Sequence, residues 1–286
     1  MKSPSYFARP LATVAPRDLL LLQFLEPKPT DVTLEIGTGS GSSLFRLAEA
    51  VAALHSLDIS VGTIERLRPF FAKARGPLQS VQLFVADFCQ PDAAAHLPTR
   101  YDLIFSCDTL EHVADPGAFL ANVYRALNPG GRAFLVYPNE HPSHAHGITF
   151  FERREMLTEL LRKAGFAAAQ IEIQTFRMTR GARGVLDLGW RWPRRLGKKA
   201  LRLVRRQHSS AQPAPAGGTE APQTFDQTDF FSVANRLEPL APLINAYCWG
   251  LMRLMTWTGP VYRLFPAPEI IWDHQILMRA TRGSET

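Results

Sequence analysis

Three glycines at alternate positions, Gly37, Gly39 and Gly41, are the residues of this 286-residue chain best suited to one chemical task. At that spacing the backbone can turn sharply and approach a ligand closely, because no Cβ stands in the way. Carboxylates occur where the same task would use them. Glu35 precedes the turn, Asp58 follows it by about 20 residues, and Asp87 lies further on. A carboxylate at the Asp58 offset is placed to meet sugar hydroxyls. Histidines are the other group with chemistry in them. His112 follows an apolar run, and His141, His144 and His146 crowd into one short stretch. An imidazole titrates near neutrality, so His112, His141 and His144 are the candidates for taking a proton from a substrate.

These residues need elements to position them. Val32, Leu34 and Ile36 predict a strand running into the glycines. Leu44, Leu47, Ala48 and Val51 predict a helix over Ser43–Ala53 directly after them. Strand, glycine turn and helix open a nucleotide-binding α/β unit. Further strands are expected at 54–59, 81–86, 101–106, 132–137, 168–176 and 270–280. Helices are expected before the first strand (Leu19–Leu25) and at 61–74, 119–127 and 151–164, the last closed by Gly165.

The glycine spacing separates two readings. A dinucleotide site carries G-x-G-x-x-G, whereas this chain has G-x-G-x-G with Ser42 where the last glycine would fall. Leu34-Glu35-Ile36-Gly37-Thr38-Gly39-Ser40-Gly41 resembles motif I of the class I S-adenosylmethionine (SAM) dependent methyltransferases. Other stretches resemble the same family: Asp87-Phe88 after the third strand, Leu110-Glu111-His112-Val113 before Asp115-Pro116, and Leu127-Asn128-Pro129-Gly130-Gly131 before the fifth strand. The resemblance implies a doubly wound, seven-stranded, mostly parallel α/β sheet of order 3-2-1-4-5-7-6. It also implies SAM as cofactor. Glu35 and the backbone of Gly37, Thr38, Gly39 and Gly41 would hold the methionine part. Asp58 would bond the ribose, Ile59 would pack on adenine, and Asp87 with Phe88 would read the adenine edge. Carbonyls near Ser106 and Cys107 would meet the amino-acid end. Thr38 stands where Cys or Ala is frequent in the family.

Between the expected sixth and seventh strands the family has a short hairpin, and this chain has residues 177–269. A large helical insertion is expected there, beside the site, as a lid or substrate-recruiting element. The domain reading is thus 1–30 as an N-terminal helical segment, 31–176 as the SAM-binding core, 177–269 as the insertion, and 270–286 as the last strand and tail. Charge is concentrated in the insertion. The whole chain is +6, yet Arg177 to Arg206 holds eleven Lys/Arg and one Asp. Residues 190–206 interleave these cations with Leu196, Ala200, Leu203 and Val204, a pattern that suits an anionic membrane surface. It also suits a solvated face or RNA phosphates, and no Asn/Asp-Pro-Pro-Tyr motif favours the last. Residues 207–223 read as a flexible linker, and 225–265 are apolar and aromatic.

The three cysteines are far apart, which argues against a disulfide frame and points to a reducing compartment. No metal-type cysteine spacing is present, and no metal is assigned. The stretch Leu19–Leu25 is too short for a signal peptide, and Leu240–Thr258 is broken by Pro242, Asn245 and Arg253. The functional expectation is a cytoplasmic enzyme, peripheral on the inner face of a membrane, that O-methylates an amphipathic small molecule, a lipid or a lipid-linked sugar. Two alternatives stay open: a catalytically silent SAM-binding partner that docks a complex to a membrane, and an RNA methyltransferase using the basic insertion.

Overall fold

A computed structural model describes residues 16–191 and 240–284. The described chain falls into two compact units, one built on residues 15–178 and 262–286, the other on 179–261.

The first unit is a sheet with helices. Helix α1 (Pro16–Phe24) leads into β1 (Val32–Ile36), α2 (Leu44–Leu47), β2 (Ala53–Asp58), α3 (Val61–Ala72) and β3 (Gln82–Val85). Then come β4 (Tyr101–Cys107), α4 (Pro116–Ala126), β5 (Leu127–Asn139), α5 (Arg154–Ala164), β6 (Ile171–Met178), β7 (Tyr262–Pro266) and β8 (His274–Thr281). The strand order is β3-β2-β1-β4-β5-β8-β6-β7. Strands β1 to β5 pair in parallel, and β8 runs antiparallel between β5 and β6. The expected seven-strand order is therefore present, with β8 as its seventh strand.

One strand was not expected. β7 pairs antiparallel with β6, Met178 opposite Tyr262, and makes the sheet eight-stranded. Pro260 and Pro266 bracket this stretch and argue against a strand, but proline is tolerated at a sheet edge, where one row of N–H groups has no partner strand. The expected insertion is correspondingly shorter: residues 262–266 belong to the sheet. A second difference concerns the helix after the glycines. It stops at Leu47, and the chain turns into β2 from Ala53, so the apolar periodicity of Ala48 and Val51 continues past the helix end.

Strand β1 is nearly buried throughout, as a central parallel strand must be. Leu34 and Ile36 face a core shared with Leu57, Ile104, Leu135 and the α4 and α5 residues Leu120, Val123, Leu157 and Leu161. Thr33 and Glu35 alternate to the other face. The C-terminal ends of the parallel strands put Gly37, Asp58, Asp87, Cys107 and Asn139 on one edge. Since Asn139 pairs with His274, the turn before β8 lies on that edge too.

The second unit contains α6 (Arg180–Leu186), a π-helical turn (Asp187–Arg191) and α7 (Ala241–Trp257). Of the expected basic helix at 190–206 only Trp190 and Arg191 are among the described residues; the rest of it, and the 207–223 linker, lie outside them.

Candidate active site

The three glycines of the turn do different work. Gly37 has φ +89°, and a Cβ there would lie 2.1 Å from Thr109 Oγ1. Its N–H donates to the Leu57 carbonyl at 2.8 Å, which joins the turn to β2. Gly41 has φ +68°, and a Cβ would come within 3.1 Å of Leu67. Gly39, at φ +51°, is the open one, because a Cβ would meet nothing within 4 Å. Its side of the turn is free for a ligand, and its N–H is tied to Asp58 Oδ2 at 3.1 Å. Asp58 Oδ1 accepts the Ser60 N–H at 2.9 Å. A carboxylate has about four acceptor sites, so this one keeps capacity for sugar hydroxyls. Beside it, Ile59 is 68 % exposed and Val61 59 %, an apolar ledge suited to a flat ring.

Glu35 is placed differently from the resemblance. It is buried, and its two carboxylate oxygens accept the hydroxyls of Ser43 and Ser56. Ser56 in turn is bonded to the buried Thr38 hydroxyl at 2.7 Å. Glu35 and Thr38 thus brace the turn from inside, and the Glu35 side chain does not reach toward a ligand. Burial pushes the Glu35 carboxyl up to about 8, against the lowering effect of the two serines. The folded protein therefore holds a proton there that the unfolded chain releases at the ordinary value of 4.5. Between these values the native state binds more protons, so stability must fall as pH rises through that window, by up to about 1.4 kcal/mol per pH unit. Glu35→Gln is neutral at every pH. Denaturant melts should show this slope in the parent protein and lose it in Glu35→Gln.

The loop after β3 carries Asp87. Its oxygens accept the Gln90 amide and the Cys89 N–H, both at 2.9 Å, and these bonds hold its carboxyl below the ordinary carboxylate range. It is a charged acceptor at the edge. Phe88 departs from expectation: its ring is in the core, edge-on to Phe119 at 5.9 Å. An aromatic ring next to the helix layer gains more from burial than from exposure at the edge. Asn122, outside every motif of the sequence, anchors this loop by donating to the carbonyls of Phe88 (3.0 Å) and Gln90 (2.9 Å). The available signal was a polar residue on the apolar stripe of α4, three positions after Phe119. At the end of β4, Ser106 donates to the Ile36 carbonyl at 2.7 Å, so its hydroxyl serves the β1–β4 joint. Cys107 is half-buried at the strand end, and its carbonyl accepts the Thr109 hydroxyl at 3.2 Å.

The histidines assemble in part. The loop after β5 is clamped onto the turn that carries His112. Ile148 and Thr149 N–H groups donate to the Glu111 carbonyl at 2.7 and 3.0 Å, and the Thr149 hydroxyl donates to the Val113 carbonyl. Gly147 allows this contact, since a Cβ there would lie 2.5 Å from the same Glu111 oxygen. His112 itself is exposed, with Nε2 3.9 Å from Glu111 Oε1.

His141 and His144 stack with ring centroids 6.1 Å apart. Asp273, in the turn before β8, accepts the His141 N–H at 2.9 Å and bonds His144 Nε2 at 3.0 Å. The His141 N–H is among the bonds that lower the Asp273 carboxyl, so it is a carboxylate and Nε2 must carry the proton. That leaves His144 Nδ1 as the acceptor, 3.2 Å from the Ser143 hydroxyl. His141 has the same tautomer, because its Nδ1 accepts the Ser143 N–H at 3.2 Å and leaves the proton on Nε2. Each of these two rings thus offers Nδ1 as acceptor and Nε2–H as donor, and His144 is the one of the two whose Nε2–H is fixed by a carboxylate, which leaves Nδ1 to act as a base. Asp273 has no sequence neighbour in the motif and lies 129 positions from His144. His146 pairs instead with Glu140 at 3.1 Å. Among the described residues no group of three or more His, Cys, Asp or Glu could hold a metal ion.

A parallel sheet with this strand order, an antiparallel strand beside β5 and a G-x-G-x-G turn at the end of β1 defines a class I methyltransferase fold. A family described as "Methyltransferase domain" matches residues 9–171, more than half of the chain. The chain belongs to that family, the SAM-dependent methyltransferases. It is 34% identical over 115 residues to the tRNA 5-carboxymethoxyuridine methyltransferase of Escherichia coli, covering 40% of this chain and 43% of that protein. It is 28% identical over 109 residues to the ubiquinone biosynthesis O-methyltransferase of Aeromonas salmonicida, covering 38% and 44%. The matches span less than half the length of these curated relatives. Phosphoethanolamine N-methyltransferase 2 of Haemonchus contortus, solved with SAM, is similar at a TM-score of 0.49 and 17% identity over 94% of this chain and 52% of that one. The residues present fit SAM: an open turn at Gly39, a carboxylate with spare acceptor sites at Asp58, an apolar ledge at Ile59, and a charged acceptor at Asp87.

Proposed function

We propose that the protein moves the methyl group of SAM to an oxygen of an amphipathic small molecule, a lipid or a lipid-linked sugar, in the cytoplasm at the inner face of a membrane. The observation that carries the oxygen acceptor is the His144–Asp273 pair on the sheet edge that also bears the glycine turn. SAM supplies an electrophilic methyl group when bound. The turn at Gly37, Thr38, Gly39 and Gly41, with carbonyls near Ser106 and Cys107, would hold its methionine end. Asp58 would hold the ribose, Ile59 the adenine face and Asp87 the adenine edge. An acceptor hydroxyl is a weak nucleophile until its proton leaves, and His144 Nδ1 takes that proton while Asp273 fixes the ring. His141 donates to the acceptor and orients it. Much of the remaining rate comes from holding both reactants in line. A relative named as an O-methyltransferase of ubiquinone biosynthesis is consistent with oxygen chemistry on such a substrate.

RNA is the second reading. A relative with 34% identity is named for a tRNA nucleoside, and the sequence from Arg177 to Arg206 is strongly basic. A single experiment separates the readings: methyl-labelled SAM is incubated with the protein and a fractionated lysate. Label in the organic phase is expected. Label in RNA would replace the lipid acceptor by a nucleic acid. Binding of SAM with no label in any fraction would leave a silent SAM-binding partner.

A further inference from the structure

The unit of residues 179–261 contains a helix that is apolar on both sides. On one side of α7, Asn245, Cys248, Met252 and Met255 are buried to 1 % exposure or less. On the opposite side Leu243 is 70 % exposed, Tyr247 50 %, Leu254 44 % and Trp257 83 %. At about 100° per residue these four and Gly250 fall within one narrow stripe. The helix of 17 residues, APLINAYCWGLMRLMTW, has one charged side chain and no carboxylate. That charge is Arg253, whose guanidinium sits 5.0 Å over the Trp249 ring. A helix face kept in water normally carries Lys, Glu or Gln. This one presents leucines with a tyrosine and a tryptophan, the residues that favour the boundary between headgroups and acyl chains.

We propose that the Leu243–Tyr247–Leu254–Trp257 face of α7 is a membrane-contact surface that lies in the plane of an anionic bilayer. Charge complementarity names the partner. Residues 179–261 hold twelve Lys/Arg against five Asp/Glu, a net +7, whereas the whole chain is +6. Arg180, Arg183 and Arg253 are exposed within the same unit. Apolar insertion plus basic attraction is the combination that holds a helix at an anionic interface. No helix of the described residues is long and apolar enough to cross a membrane, and the contact proposed for α7 is in the plane of the surface. A second copy of the chain is the rival occupant. It fits less well, because a helix–helix seam wants branched apolar residues at successive positions, and Gly250 and Tyr247 interrupt this one.

The test uses the full chain with sucrose-loaded vesicles, of phosphatidylcholine alone or with phosphatidylglycerol added. The protein should sediment with the anionic vesicles. Leu243→Glu combined with Trp257→Glu should weaken this roughly tenfold or more, and higher salt should weaken it only in part. Both positions are solvent-exposed, so the thermal melt should match that of the parent protein. A folding-neutral check is Trp257→Phe, which should remove a fraction of the tryptophan quenching by brominated lipid. No binding by the parent, unchanged binding by the double variant, or quenching unaltered by Trp257→Phe would overturn the proposal. So would a concentration-dependent dimer that the double variant disperses, which would give the face to a second copy. The proposal rests on the membrane location given under the proposed function; because the assay contains neither SAM nor acceptor, its failure would remove that location and leave the methyl-transfer reading intact.

Discussion

His144→Gln should lower kcat by about 10²- to 10⁴-fold while SAM affinity stays within a factor of about two. The glutamine Nε2–H can keep the bond that His144 Nε2 makes to Asp273, at 3.0 Å in the parent, but it offers no nitrogen that accepts a proton. Loss of rate with retained architecture then isolates proton removal. Turnover is measured with the acceptor fraction that takes label, and SAM binding by calorimetry. Asp273→Asn should give a smaller loss, roughly tenfold, because it keeps an oxygen for the His141 N–H and removes the charge that fixes the His144 tautomer. If His144→Gln retained turnover within about twofold, the proton would leave by another route, and the exposed His112 on the adjoining turn would be the next residue to replace.

The cofactor half of the site was far more legible in the sequence than the substrate half. Gly37, Gly39, Gly41 and Asp58 are close in the chain, and backbone chemistry ties each residue type to its place. Side-chain direction was harder to read. Glu35 sits in the middle of a motif, yet two serines, Ser43 and Ser56, turn it inward, and only the β1–β2 pairing brings Ser56 opposite it. Phe88 was assigned to the ligand from its neighbour Asp87, but a ring beside Phe119 is drawn into the core. His144 was identifiable as a residue type, whereas its partner Asp273 became visible only through the antiparallel pairing of Asn139 with His274. Long-range register, which no local pattern encodes, decided that case. β7 was missed because Pro260 and Pro266 mask a strand whose role depends on its place at the edge.

Gly39→Ala and Gly37→Ala should fail in opposite ways, and the contrast locates the cofactor. Both glycines have positive φ, so each alanine costs roughly 1–2 kcal/mol in backbone terms. At Gly39 that is the whole cost to the fold, since the new methyl meets nothing within 4 Å. The methyl instead occupies the open side of the turn, where the methionine end of SAM is proposed to lie. Gly39→Ala should therefore melt only a few degrees below the parent and bind SAM roughly tenfold or more weakly. At Gly37 the methyl would lie 2.1 Å from Thr109 Oγ1, at the joint where Thr109 donates to the Cys107 and Ile36 carbonyls. That overlap forces β1 and the end of β4 apart and should add about 1–3 kcal/mol or more to the backbone cost. Thr109→Ala removes the obstructing atom. In the double variant Gly37→Ala with Thr109→Ala, the steric part should be recovered and the backbone part should remain, a coupling that a double-mutant cycle of melts measures directly. If Gly39→Ala bound SAM as tightly as the parent, the open side of the turn would not be the cofactor's place, and the assignment of Asp58 and Ile59 would fall with it.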